Sequence, residues 1–116
     1  MPRSVVLVVE DEEESRETLR ELLEFEGYNV QTAFNGQEAL AKLNLIGDEI
    51  CIILLDLFMP VMDGWQVLQQ MRSDGRIATI PVVVTSSATQ QVPTDVPVFR
   101  KPIDFDKLLR TVAVLC

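Results

Sequence analysis

The sequence predicts a doubly wound α/β fold, in which five parallel strands alternate with helices that cover both faces of the sheet. Two uninterrupted apolar runs, Val5–Val9 and Ile50–Leu55, have the length and β-branched content of strands that are buried on both faces. Segments with helical periodicity separate the predicted strands, which is the pattern of βαβ units. No linker or internal repeat divides the 116 residues, so we predict one domain over residues 1–116.

The other elements follow from periodicity and turn signals. Three further segments are predicted strands: Tyr28–Thr32, Ile80–Thr85 and Val96–Phe99. Four segments with apolar residues at helical spacing are predicted helices: Glu14–Glu26, a short helix between Gly36 and Gly47, Gly64–Ser73, and a last helix capped by Asp104. Pro97 indicates that the fifth strand lies at an edge of the sheet. Trp65 and Phe105 are predicted to lie in the core, and Asp63-Gly64 is assigned only to a turn.

The charge balance excludes several classes of partner. The 10 basic and 18 acidic residues give a net charge of −8, whereas a protein that binds nucleic-acid phosphates needs clustered Lys and Arg. The same charge disfavours anionic membranes, and no apolar run approaches the ~20 residues that span a bilayer. The first strand begins so early that no signal peptide is expected. We therefore expect a cytoplasmic protein that binds neither nucleic acid nor a membrane.

The cysteine and histidine counts narrow the chemistry. Cys51 and Cys116 do not form a disulfide framework, and we predict that both are reduced thiols, as expected in the cytosol. The absence of histidine excludes histidine-based triads and histidine-ligated zinc.

Polar residues follow the predicted strands at the edge where their carboxyl ends meet. They are Glu10 and Asp11, Asp56, Thr85 and Ser86, and Lys101. Three carboxylates at one edge would repel each other unless a cation joined them, and Mg²⁺ suits such an oxygen-rich site. An Asp can act as a nucleophile toward phosphorus, while a Lys and a hydroxyl can bind phosphate oxygens. This set of residues therefore predicts phosphoryl transfer.

Four motifs, in this order and spacing, carry a resemblance to a known family: the acidic pair in Val8–Glu12, Leu54–Pro60 with Met62–Gly64, Pro81–Ser86, and Lys101-Pro102. With them the chain resembles the receiver domain of two-component response regulators, over essentially its whole length. The resemblance implies a flavodoxin-like five-stranded parallel sheet of order 2-1-3-4-5. It also implies a signalling module that is not an enzyme, apart from Mg²⁺-dependent self-phosphorylation from a donor and autodephosphorylation.

The resemblance also assigns roles to individual residues. Asp56 would be the phosphoacceptor and a ligand of Mg²⁺. Asp11 would ligate the metal directly, Glu10 through water, and the backbone carbonyl of Phe58 would complete the protein ligands. Lys101 and Ser86 would contact the phosphoryl group, with Thr85 as the alternative hydroxyl.

The sequence departs from the family between the fourth and fifth strands. The segment Ser87–Asp95 leaves room for one or two helical turns at most, so we predict that the family's fourth helix is shortened or missing. The aromatic residue that the family usually carries three positions before the Lys is Val98, and Phe99 falls on the opposite face of the strand. We therefore expect switching to use the Ser86 loop and a locally unstable Ser87–Asp95 segment with few apolar anchors.

Three functions are compatible with these residues. The preferred one is a receiver that takes a phosphoryl group from a histidine kinase or phosphotransfer protein and then switches a surface that binds a downstream protein, with dimerisation on phosphorylation as a further option. The first alternative is a protein-interaction module whose partner ignores phosphate, favoured by the eroded helix. The second is a phosphatase with an aspartyl intermediate, which is disfavoured because no insertion could build a substrate pocket.

Overall fold

The sheet has the predicted number of strands and the predicted order. The computed structural model describes residues 3–87 and 91–116 and contains a five-stranded, all-parallel sheet of order β2-β1-β3-β4-β5. The described strands are β1 (Val5–Val9), β2 (Asn29–Ala33), β3 (Ile50–Asp56), β4 (Val82–Ser86) and β5 (Val98–Arg100). The described helices are α1 (Glu13–Phe25), α2 (Gly36–Ile46), α3 (Gly64–Arg72) and α4 (Phe105–Leu115), with a 3₁₀ turn at Gly47–Glu49. The fold class and strand order predicted from the sequence are confirmed.

The sheet separates two apolar clusters. Cluster 1 lies on the side of α2 and α3 and includes Leu7, Leu43 and Met71. Cluster 2 lies on the side of α1 and α4 and includes Leu23 and Leu108. All seven residues of β3 are buried, because β3 is the middle strand and helices cover both of its faces. The central strand therefore carries its last residue, Asp56, directly out of the core.

No helix occurs among the described residues between β4 and β5, which are Ser87 and residues 91–97. Residues 88–90 of the predicted switching segment lie outside the described residues. In the second half of this segment, Val92 packs against cluster 1 and Pro93 is buried, so that half is anchored to the core at these two residues. Val96, which follows the segment, also packs against cluster 1. Arg72 of α3 also forms an ion pair of 2.5 Å with Asp95. Irregular chain within residues 91–97 therefore packs against the apolar cluster on this side of the sheet.

Two aromatic residues that we predicted in the core are only partly covered. Trp65 and Phe105 each remain 39% exposed. The buried stripe of α3 is Gly64, Val67, Leu68 and Met71, and Trp65 falls beside that stripe. Phe105 begins α4 and lines an open groove against α1, so the sheet does not cover it.

The prediction of two reduced thiols is also wrong in this structure. Cys51 and Cys116 form a disulfide across 65 residues of sequence, with their Cα atoms 5.1 Å apart. That separation lies in the usual range for disulfides. A pair of cysteines this far apart in sequence gives no local signal of pairing, because the contact depends on how α4 packs against β3.

Within the described residues, no helix has the length and apolar character needed to cross a membrane.

Val61, in the loop between β3 and α3, has a backbone conformation that its residue type disfavours. Its φ angle is 71°, in the left-handed region, where a β-branched side chain is strained. The side chain is 77% exposed, so its packing cannot offset much of this strain. Asn tolerates the left-handed region better. We expect Val61→Asn to raise the free energy of unfolding by about 1 kcal/mol, measured by urea denaturation.

Val114→Asn is the matched control for that substitution. Val114 is 84% exposed but lies within α4, where Val and Asn have similar helix propensities. An equal gain in both variants would mean that the effect comes from removing surface apolar area and not from relieving Val61.

Candidate functional site

The carboxyl ends of β1, β3, β4 and β5 bring the predicted site residues to one edge of the sheet. Asp56 and Thr85 are register partners on β3 and β4. Glu10 follows β1, and its N–H donates to the carbonyl of Ala33 over 3.0 Å. Lys101 follows β5, and its N–H donates to the carbonyl of Ser86 over 2.9 Å. Residues that are up to 91 positions apart in the chain therefore lie at one place.

Lys101 lies between two buried carboxylates. Its Nζ is 2.8 Å from Glu10 Oε1 and 3.6 Å from Asp56 Oδ1. Glu10 is 2% exposed and Asp56 is 4% exposed, whereas the Lys101 side chain is 29% exposed, so water screens this interaction only in part. One cation thus partly neutralises two carboxylates that come from different strands.

Asp11 adds a third carboxylate, and the three form a pocket suited to a divalent cation. One carboxylate oxygen from each of Glu10, Asp11 and Asp56 lies within 4.8 Å of the others. Glu10 Oε2 is buried and has no hydrogen-bond partner among the described residues. A buried carboxylate oxygen without a partner is costly, and a cation or its bound water would satisfy it. The donor set is all oxygen, which suits Mg²⁺.

The local charges shift two pKa values in this pocket. The pKa of Asp56 is raised to about 8, chiefly by burial and then by the neighbouring Glu10 carboxylate, which together outweigh the opposing charge of Lys101. Burial acts to lower the pKa of Lys101, but its pairing with Glu10 and Asp56 outweighs burial and raises it. Without a second cation, the pocket therefore disfavours full ionisation of its carboxylates.

Arg16 supports the acidic pair, a role that the sequence analysis did not find. Its Nη1 donates to the backbone carbonyl of Glu10 over 3.0 Å and to that of Asp11 over 3.4 Å. Arg16 is the first cation after five consecutive acidic residues, and this position was the only signal in the sequence. It holds the turn between β1 and α1 through main-chain atoms.

Asp63-Gly64, which we assigned only to a turn, begins α3 and positions the end of β3. Asp63 forms a capping box with Gln66, and Gly64 N–H donates to the carbonyl of Leu57 over 2.8 Å. A Cβ atom on Gly64 would lie 2.7 Å from the carbonyl oxygen of Asp56. Glycine is therefore required for the close approach of α3 to the strand that carries Asp56.

The remaining predicted residues have defined positions, and their chemical roles stay predictions. Ser86 is fully buried and Thr85 is 3% exposed, and the Thr85 carbonyl accepts from Leu57 N–H over 3.0 Å. Phe58, which follows Leu57, has a half-exposed side chain. Val98 packs on cluster 1 and Phe99 on cluster 2, so the two lie on opposite faces of β5 as predicted.

The raised pKa of Asp56 predicts how stability depends on pH in the metal-free protein. Between the ordinary pKa of 3.8 and about 8, Asp56 holds more proton in the folded state than in the unfolded state. The free energy of unfolding should therefore fall as pH rises through this window, by at most about 1.4 kcal/mol per pH unit. Urea denaturation in EDTA at several pH values would measure it, compared with Asp56→Asn, which lacks this proton.

Asp48 is an exposed carboxylate just before the opposite end of β3. The Asp48→Asn variant is therefore the control for that comparison. It should follow the wild-type pH profile. A constant difference between wild type and Asp56→Asn across the window would contradict a raised pKa at Asp56.

Comparison with proteins of known sequence gives curated relatives that are named as transcriptional regulatory proteins or response regulators. The chain is 37% identical over 89 residues to a protein named as a CpxR homologue from Haemophilus influenzae, a match that covers 77% of this chain and 37% of that protein. It is 39% identical over 82 residues to the response regulator MprA of Mycolicibacterium vanbaalenii, which covers 71% and 34% respectively. The matches thus span about a third of the length of these relatives.

Solved structures match nearly all of the chain. The receiver domain of the hybrid histidine kinase CckA has a TM-score of 0.83 at 33% identity, covering 96% of this chain and 97% of that one. The chemotaxis protein CheY4 of Vibrio cholerae has a TM-score of 0.84 at 27% identity, covering 98% and 99%. The family model described as the response regulator receiver domain matches residues 6–113. With the sheet order and the acidic edge described above, these matches show that the chain belongs to the response regulator receiver domain family.

Proposed function

We propose that this receiver domain accepts a phosphoryl group on Asp56 from the phosphohistidine of a histidine kinase or of a histidine phosphotransfer protein. The observation that carries the proposal is the position of Lys101, which lies between the buried carboxylates of Glu10 and Asp56. A cation held beside a buried carboxylate at the end of the central strand is the arrangement that a phosphoryl acceptor needs.

The proposed reaction is a direct displacement at phosphorus. An oxygen of the ionised Asp56 carboxylate attacks the phosphorus atom, the bond from phosphorus to the donor's imidazole nitrogen breaks, and an acyl phosphate forms on Asp56. Lys101 neutralises charge on the phosphoryl oxygens, and the Ser86 hydroxyl, or alternatively that of Thr85, donates a hydrogen bond to one of them.

Mg²⁺ is the proposed cofactor. Asp11, Asp56 and the backbone carbonyl of Phe58 would hold it, with Glu10 acting through water. When bound, the ion would offset the charge of the carboxylates and of the incoming phosphoryl group. The unpartnered oxygen of Glu10 supports this assignment, because a metal-bound water would give it a hydrogen-bond donor.

The wider role of the protein belongs to this proposal as well. We propose that the domain acts in the cytoplasm and that phosphorylation switches a surface that binds a downstream protein, with a phosphorylation-dependent dimer as one form of output. The net charge of −8 supports a protein target over nucleic acid for these 116 residues.

A second candidate function is an interaction module that does not depend on phosphate. The observation that favours it is that Ser87 and residues 91–97, the described residues between β4 and β5, form no helix, together with Val98 in place of an aromatic residue. Both features alter the face next to Ser86.

The first test is phosphorylation itself. With Mg²⁺ and a small phosphodonor such as acetyl phosphate, the wild-type protein should gain one phosphoryl group by intact mass. Asp56→Asn should not react, because an amide is a poor nucleophile toward phosphorus. Asp48→Asn serves as the control and should react at the wild-type rate. Phosphorylation of Asp56→Asn at the wild-type rate would refute the assignment, and an unreactive but folded wild type would favour the phosphate-independent module.

The second test concerns the metal. At free Mg²⁺ about ten times its Kd, the free energy of unfolding should rise by about 1.4 kcal/mol, because the ion binds only the folded state. Asp11→Asn should lose this dependence in Mg²⁺ titrations of thermal stability, since it removes a direct ligand.

Glu13→Gln is the matched control for the metal test, because it removes one charge from the same acidic run at an exposed helical position. It should keep the Mg²⁺ response. Equal responses in wild type and Asp11→Asn would show that the ion binds elsewhere.

A further inference from the structure

A β-bulge in β3 decides which way Cys51 points. Val5 of β1 pairs with Ile50 of β3, but the next residue of β1, Val6, pairs with Ile52. Cys51 is therefore the extra residue of β3. Regular alternation would place Cys51 and Ile52 on opposite faces of the sheet. Because of the bulge, both residues pack in cluster 2, on the side of α4. The irregularity in the strand therefore turns Cys51 toward the helix that carries Cys116.

Apart from the disulfide, no residue of the last turn of α4 is fully buried, although Leu115 is 39% exposed and lines a groove beside Pro97. The buried residues of α4 are Leu108 and Val112, and none of residues 113–116 is buried. Cys116 donates a backbone hydrogen bond to Val112 over 2.8 Å, which closes the turn on itself but does not dock it. The bond from Cys116 to the buried Cys51 thus attaches this turn covalently to β3.

The beginning of α4 is held independently of the disulfide. Asp104 caps the helix by accepting from Lys107 N–H over 3.2 Å, and Lys107 Nζ lies 5.5 Å from the centre of the Phe99 ring. Leu108 is fully buried one turn into the helix. Breaking the disulfide should therefore release the end of α4 and leave its start, and the neighbouring Lys101, in place.

We propose that Cys51 and Cys116 form a thiol–disulfide switch that docks the last turn of α4 on β3 when oxidised and releases it when reduced. Cys116 lies at an exposed position and Cys51 is 5% exposed, so small thiols and disulfides reach the Cys116 sulfur first. In the reducing cytoplasm that we expect for this protein, a disulfide with one accessible sulfur is a redox-responsive bond and not a permanent one.

The oxidant in this proposal is a low-molecular-weight disulfide such as oxidised glutathione. The Cys116 thiolate attacks one sulfur of that disulfide, and the first small thiol leaves to give a mixed disulfide on Cys116. The Cys51 thiolate then attacks the Cys116 sulfur, and the second small thiol leaves. Two protein thiols are oxidised to one disulfide, and one small disulfide is reduced to two thiols, so atoms and electrons balance.

The test equilibrates the protein with glutathione mixtures from fully reduced to fully oxidised, followed by alkylation and intact mass. We expect alkylation to add two groups to the reduced protein and none to the oxidised protein. The oxidised protein should also melt on the order of 10 °C above the reduced protein, because the bond closes a long loop. Hydrogen exchange should show protected amides at residues 113–116 in the oxidised protein, and faster exchange confined to that turn after reduction.

Cys116→Ser provides the control. Cys116 is exposed, so its replacement should leave the fold intact. Its melting temperature should equal that of the reduced wild type and should not change with the glutathione ratio. Both Cys116→Ser and the reduced wild type should still bind Mg²⁺. The proposal is wrong if no intramolecular disulfide forms in oxidised glutathione, or if the bond persists in fully reduced glutathione. It is also wrong if the last turn of α4 exchanges equally in both redox states.

Discussion

The ion pair from Lys101 to the buried carboxylates of Glu10 and Asp56 is the constraint on which the rest of the structure depends. These three residues come from β5, β1 and β3, so the pair forms only when the sheet has closed in the order that sets those strand ends side by side. Glu10 and Asp56 are buried while Lys101 is partly exposed, so removing the Lys101 cation would leave two buried carboxylates without their counterion. The same carboxylates that make the pocket suited to a divalent cation therefore make the fold sensitive to their charge balance.

The surroundings of this pocket are built mainly from backbone contacts. Arg16 holds the Glu10 and Asp11 main chain, and the missing side chain of Gly64 lets α3 approach the Asp56 carbonyl. These contacts hold the backbone of the carboxylate residues and leave the carboxylate oxygens at the edge of the sheet free of them. Such preorganisation suits a site whose work is to position and neutralise charge.

The sequence predicted the fold and the site through one physical feature, the abrupt end of apolar runs at charged residues. Val5–Val9 and Ile50–Leu55 had to be central strands, and a parallel sheet had to bring Glu10 and Asp56 to one edge. The boundaries of β5 were predicted less well. The strand begins at Val98 and not at Val96, since Pro97 has no N–H to donate and contributes only its carbonyl to Val84.

Other features could not be predicted because they depend on tertiary geometry. The disulfide needs a bulge that redirects Cys51, and bulges leave little trace in a run of apolar residues. Val92 and Val96 pack against cluster 1 from outside any helix or strand, and no local periodicity in the sequence predicts such packing. The exposure of Trp65 follows from its position beside the buried stripe of α3, which a count of apolar residues overlooks.

The two outer strands of the sheet differ in how they discourage pairing with strands of other molecules. β5 has only three residues and follows Pro97, so it offers a short template with few free donors. β2 is longer, but Asn29 and Gln31 are exposed on it and the Lys42 ammonium donates to the Thr32 carbonyl, which occupies an acceptor on that strand. A sheet with such a continuous apolar centre can thus stay free of edge-to-edge aggregation, because both of its borders are poor partners for another strand.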